Sequence, residues 1–325
     1  MSPAVSVWAQ YLLPQQLLAW LVYHISRSTW PILKNPLIRW FVKRYRVDLH
    51  DAESHEAEAY ESFNAFFTRR LKPGTRPIEG DDRSVISPVD GYLTQFGTVR
   101  DGELIQAKGM GYRVDELLGE PRDGAASLIL CSYATLYLAP SHYHRVHLPL
   151  TGTLTRTRYI PGKRFSVHEH TADRIPRLFC RNERVVCWFD TLIGPLAMVL
   201  VGALNVSSIS TQWLGEIPSG KRIEWHNDVT PRHRYERGDE IGAFNLGSTG
   251  ILILPAGLGT WCEGLQSGQR LNMGESLGQL SPVLDRNRGA ARTGGNRPLL
   301  GRRCAREPKY WHLSGTSSQR EGSWR

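Results

Sequence analysis

Three segments carry residues whose types and spacing suit chemistry. The first is Ser87-Pro88-Val89-Asp90-Gly91, a carboxylate set in a Pro/Asp-Gly turn signature. Alone it reads as a surface turn. The second is His142-Tyr143-His144-Arg145-Val146-His147, with three His in six residues. On a strand, alternation puts His142 and His144 on one face and His147 on the other. Imidazoles so spaced suit a metal or a general base. A zinc site needs further ligands, and only His168 and His170 offer themselves, weakly. The third is Asn245-Leu246-Gly247-Ser248-Thr249-Gly250 ahead of the apolar Ile251–Leu254. It matches neither a nucleophile elbow nor a phosphate loop. It reads as a turn entering a strand. A Gly-Ser bond also lets a serine hydroxyl approach the preceding carbonyl, because glycine has no Cβ to block it, and a nearby base would activate that hydroxyl.

The elements that must position these residues read as β. Short apolar runs at Ser127–Cys131, Thr135–Leu138, Val185–Phe189, Ala197–Val201 and Ile251–Leu254 are separated by Gly, Pro and Asp. With 31 Gly and 19 Pro in 325 residues, a bundle of long helices is disfavoured. Helical patterns are confined to the first 70 residues. Residues 2–26 hold no Asp, Glu, Lys or Arg, and Leu17, Leu18, Leu21, Val22 and Ile25 recur at helical spacing. Gln10, Pro14, Gln15, Gln16 and His24 interrupt the run, which argues against a spanning helix. A second stretch carries Ile32, Leu33, Leu37, Trp40 and Phe41, with Lys34, Arg39, Lys43, Arg44 and Arg46 expected on its polar side. Two such helices, with Trp8, Trp20, Trp30 and Trp40, suit a membrane interface, or else ordinary packing on the body. A third helical pattern covers Phe63–Arg70 before Pro73 and Gly74 end it.

Net charge is +9, but residues 281–325 carry ten Lys/Arg against three acids, or +7, which leaves +2 for residues 1–280. Bulk charge therefore gives little support for a nucleic-acid partner, and none is expected. The Arg-, Gly- and Ser-rich tail from Asp285 is expected to be disordered. Five scattered cysteines without CxxC spacing argue against a disulfide scaffold. The expected fold class is α+β: N-terminal amphipathic helices (residues 1–70), a β-rich core of mostly antiparallel short strands (71–284), and a basic tail (285–325).

In order along the chain, S-P-x-D-G, the His cluster and L-G-S-T resemble the phosphatidylserine decarboxylase family in its bacterial membrane-associated form. Further likeness lies in Phe67-Thr68-Arg69-Arg70-Leu71-Lys72-Pro73-Gly74-Thr75-Arg76-Pro77, in Leu178–Val185 and in Val201-Gly202-Ala203. The resemblance covers roughly residues 8–280. It implies a self-processing enzyme that cleaves itself between Gly247 and Ser248. Residues 1–247 would become the β chain and 248–325 the α chain, and the two would form a heterodimer. It implies a triad of Asp90, His147 and Ser248, and a covalent pyruvoyl cofactor derived from Ser248. That ketone would form a Schiff base with phosphatidylserine and release phosphatidylethanolamine after decarboxylation. His144 is the candidate proton donor, and no metal is implied. Phosphatidylserine and an anionic membrane surface are the expected partners, at the cytoplasmic face of the cell membrane. The chain departs from the family pattern at His142, in the tail, and at Gly250, which would loosen the strand after the cleavage site. Two other readings use the same residues: a serine hydrolase that stays one chain, and a non-catalytic membrane-binding scaffold.

Overall fold

The computed structural model describes residues 10–281, except 12–13, 100, 108–109, 122–130, 205–207, 218–219, 221, 227–232 and 256–257. The run expected as a strand at Ser127–Cys131 falls almost wholly outside the described residues, as does the basic tail.

The core is a nine-stranded antiparallel sheet. Its order is Ile223–His226, Gly152–Ile160, Arg184–Thr191, Gly194–Gly202, Ser248–Leu254, Ser132–Leu138, Gly91–Thr98 and Gln269–Leu271, with Arg234–Tyr235 also paired to Gly152–Ile160. The inner strands are apolar without alternation: every residue from Leu196 to Gly202 is buried, as are Ile251 to Leu254. Such runs form where both faces of a sheet are covered. A four-stranded sheet has the order Gly215–Ile217, Ser208–Thr211, Glu240–Asn245, Arg145–His147. A three-stranded sheet joins Ser84–Ile86, Ser276–Leu280 and Leu258–Trp261. The strand expected to loosen at Gly250 does not. Ser248–Leu254 pairs along its length with Ser132–Leu138, and up to Ile253 with Ala197–Gly202.

Three helices lie in the N-terminal region, α1 (Gln15–Ser26), α2 (Pro31–Tyr45) and α3 (Phe63–Phe67), and helices are not confined to it, because short ones at Val114–Leu118, Glu169–Ala172 and Leu178–Arg181 join strands of the body. Ser62 caps α3 by accepting from the Ala65 backbone N–H. The third helical pattern thus stops at Phe67 rather than Arg70. The N-terminal helices share an aromatic cluster of their own, in which Ile38, Phe41, Phe63, Phe66 and Phe67 are buried. Trp20, Ile25, Trp30, Ile32 and Trp40 are exposed, Ile32 at 90%. Lys34 departs from its expected place on the polar side. It is buried, and its Nζ donates to the carbonyls of Tyr60 (2.7 Å) and Glu58 (3.2 Å) and to Asn35 Oδ1. A lysine turned inward satisfies the carbonyls of the loop that crosses α2, which sequence periodicity does not reveal. No helix among the described residues is long and apolar enough to cross a membrane.

Candidate active site

The Ser87–Gly91 turn is buried rather than on the surface, with Ser87 and Asp90 almost fully enclosed. Ser87 Oγ donates to the Val89 carbonyl. Gly91 is required here, because a Cβ would stand 2.9 Å from the Tyr137 carbonyl oxygen. The turn is tied to the His segment by the His147 N–H, which donates to the Pro88 carbonyl at 2.8 Å. Asp90 and His147 thus sit on adjoining stretches of backbone.

The Asp90 carboxylate is committed to Arg76. Arg76 Nε donates to Oδ1 (2.9 Å) and Nη2 to Oδ2 (2.7 Å), and the Met273 N–H donates to Oδ1 (2.8 Å). Burial works against the Arg76 charge, but its carboxylate partners outweigh burial and hold the guanidinium charged. Arg76 was not singled out for this role in the sequence. Its only signal was its place in the stretch Gly74-Thr75-Arg76-Pro77.

His147 has other partners. Its Nδ1 donates to the Gly238 carbonyl at 2.7 Å, so Nε2 carries the lone pair, which accepts from the Tyr143 hydroxyl at 2.9 Å. The imidazole is therefore oriented by Gly238 and Tyr143, not by Asp90. Among the described residues no hydrogen bond joins Asp90 to His147, and the carboxylate acts on the ring only through space.

His142 and His144 lie in the loop before the strand, because the chain turns at Ala139–His142 and the strand spans only Arg145–His147. The expected shared strand face therefore does not form. His144 is fully buried, and its ring packs against that of Phe67 with centroids 4.0 Å apart and planes tilted by 39°. Its Nδ1 donates to the His142 carbonyl at 2.8 Å, which leaves Nε2 a bare acceptor with no partner. The His144 carbonyl accepts from the Phe244 N–H, so His144 stands level with Phe244, four positions before Ser248. His147 stands level with Glu240, eight positions before it. Ser248 opens the central strand, with its Cα opposite Leu138 on one side and Gly202 on the other. The two residues before it, Leu246 (φ +80°) and Gly247 (φ +73°), are both left-handed. Among the described residues no three His, Cys, Asp or Glu gather as metal ligands.

Burial is the main force on all three imidazoles. It lowers His142 to about 4, aided by Arg270, and it lowers His144 well below the ordinary value, aided by Arg69. His147 is lowered too. The fold therefore holds these rings neutral, while the unfolded chain protonates them below about pH 6.5. Stability should be full above that pH and fall as pH drops toward 4. The His142 change alone corresponds to roughly 3 kcal/mol. Denaturant midpoints at pH 7.5 and pH 5 check this, and equal values would contradict it.

A cavity of about 1320 Å³ lies between α1 and the body. Leu17, Trp20 and Tyr23 line one wall, and Lys163, Arg181, Glu183 and Ser208 line the other. Two of its lining residues lead to the strand that Ser248 opens: the Glu183 carbonyl accepts from the Gly202 N–H, whose residue pairs with Ser248, and Ser208 pairs with Asn245.

The model of the family described as phosphatidylserine decarboxylase matches residues 63–279, and a second, described as PSD, matches residues 5–46. The chain is 44% identical over 282 residues to the phosphatidylserine decarboxylase proenzyme of Ectopseudomonas mendocina, covering 86% of this chain and 99% of that one. The proenzymes of Marinobacter nauticus and Shewanella baltica are each 42% identical, over 85% and 86% of this chain and 97% and 98% of theirs. By these matches, which span both the helical region and the buried Asp90, His and Ser248 segments, the chain belongs to the phosphatidylserine decarboxylase family.

Proposed function

We propose that this chain is a self-processing, pyruvoyl-dependent decarboxylase that converts phosphatidylserine to phosphatidylethanolamine. The observation that carries the reading is the left-handed Leu246–Gly247 pair directly before Ser248, in a chain whose relatives are named proenzymes. The Ser248 hydroxyl attacks the Gly247 carbonyl, and the acyl group moves from nitrogen to oxygen to give an ester. Loss of the Ser248 Cα proton expels Gly247 as a carboxylate and leaves dehydroalanine. Its imine tautomer takes up water, releases ammonia and leaves a ketone at position 248. That ketone supplies the electron sink for loss of carbon dioxide, which no ordinary side chain offers.

The surrounding residues fit such a group. Buried polar atoms without partners lie on Thr249, the next residue, and on His144. The neutral Nε2 of His144 can take a proton and return it to substrate, and Phe67 shields that ring from water. Asp90 and His147 serve Ser248 during processing. For His147 to take the hydroxyl proton directly, Nε2 must exchange Tyr143 for Ser248. Asp90 stabilises the resulting cation through space. The cavity suits an anionic phospholipid, with Lys163 and Arg181 near its phosphate and the α1 side chains along its acyl chains. The exposed tryptophans and isoleucines of α1 and α2 seat the enzyme peripherally on the cytoplasmic face of the cell membrane. After cleavage, residues 1–247 and 248–325 remain a heterodimer, because Ser248–Leu254 is paired on both sides within the sheet.

Intact mass under denaturing conditions tests the reading. Scaling 36.7 kDa by 247 and 78 of 325 residues gives chains of about 28 and 9 kDa, the smaller blocked at its N-terminus. A single full-length chain that hydrolyses esters would favour the hydrolase instead.

A further inference from the structure

Leu246 lies two residues before Ser248, at a φ of +80° that branched side chains avoid, because Cβ crowds the backbone carbonyl. Its neighbour Phe244 belongs to the core of the large sheet. Leu246 instead inserts into the N-terminal aromatic cluster, where it is 7% exposed beside Ile38, Phe41, Phe63, Phe66 and Phe67. The chain thus crosses from one core to the other just ahead of the cleavage site. Asn245 is gripped from the same direction. Its Oδ1 accepts from Asn64 Nδ2 of α3 at 3.0 Å, and its Nδ2 donates to Ser208 Oγ at 2.8 Å. Ser208 Oγ also accepts from Arg27 Nη2, just past the end of α1.

We propose that Leu246 is a positioning residue for self-cleavage. Its side chain, clamped in the N-terminal cluster, holds Leu246 and Gly247 left-handed and so fixes the Gly247 carbonyl in front of Ser248. The helical region then has a second task besides seating the enzyme on lipid: it acts on processing without touching the reacting atoms. This inference rests on cleavage at Gly247–Ser248.

The consequence reaches Phe41 in α2, which packs on Phe63, Phe66 and Phe67 at ring distances of 5.1, 5.9 and 5.8 Å and is remote in sequence from the cleavage site. The full chain is made by cell-free synthesis, and the appearance of the two fragments is followed in time. Leu246→Ala and Phe41→Ala should each slow cleavage by about tenfold or more, as loss of reactive alignment does. Leu246→Gly accepts the left-handed backbone but has no anchor, and should be as slow as alanine. Leu246→Met refills the seat and should restore the wild-type rate to within about twofold. That rescue separates positioning from bulk stability, as does reading the rate constant in the folded, soluble fraction. If the alanine variants do not fold, Phe41→Leu, which only loosens the seat, decides by an intermediate rate. Wild-type rates in folded Leu246→Ala, Leu246→Gly or Phe41→Leu would overturn the proposal. A wild-type chain that stays whole would instead overturn the processing reading beneath it.

Discussion

Ser248→Ala should leave a single chain of 36.7 kDa and abolish decarboxylation. The proposed route has one nucleophile, and without its oxygen neither the ester nor the ketone can form. The fold should be spared. Position 248 joins the sheet through backbone pairing with Leu138 and Gly202, which an alanine keeps. Melting temperature should therefore change little, while phosphatidylethanolamine formation from phosphatidylserine vesicles falls to background. The two parts of the result fail separately. An uncleaved variant that still releases carbon dioxide would remove the need for a pyruvoyl group. A variant still cut between positions 247 and 248 would mean that another group attacks the Gly247 carbonyl.

Much of the architecture was legible in the sequence, for reasons that are local. The apolar runs Val185–Phe189, Ala197–Val201 and Ile251–Leu254 are strand-length and uninterrupted, and strands buried on both faces take that form. The two N-terminal helices followed from the helical spacing of Leu17, Leu18, Leu21, Val22 and Ile25 and of Ile32, Leu33, Leu37, Trp40 and Phe41. What stayed hidden depends on distant partners. The Ser87–Gly91 turn carries an ordinary turn composition, and it is distant residues, among them 76, 137, 147, 273 and 275, that make it interior. The inward lysine at 34 answers carbonyls 24 and 26 residues away. One of the two orienting partners of His147 is a backbone carbonyl 91 residues on, which has no residue-type signature at all. Leu246 looked like one more apolar residue before a turn, and its membership of the helical cluster is a long-range fact. Periodicity reports which face of an element is buried. It does not report what lies on the other side.

The committed pairing of Arg76 with Asp90 makes the second large effect one of stability. Arg76→Met should cost about 3–5 kcal/mol, because it strands a carboxylate whose side chain is only 3% exposed and which keeps, among the described residues, the Met273 N–H as its one donor. The ion pair to Asp51 is lost as well, but that carboxylate is 39% exposed and water replaces the arginine at little cost. Adding Asp90→Asn to Arg76→Met should recover most of the loss, since the amide removes the buried charge and its oxygen still accepts from Met273. Denaturant unfolding in a Ser248→Ala background measures this without interference from cleavage. In the cleavable chain the same pair divides the two tasks of Asp90. If the carboxylate serves processing through its charge, the double variant is stable yet slow to cleave. His147→Ala should then match it, since both changes remove the cation or its support. A double variant that is as stable as wild type and cleaves as fast would reduce Asp90 to the anchor of Arg76, and His144 would then be the imidazole left to carry the proton transfer.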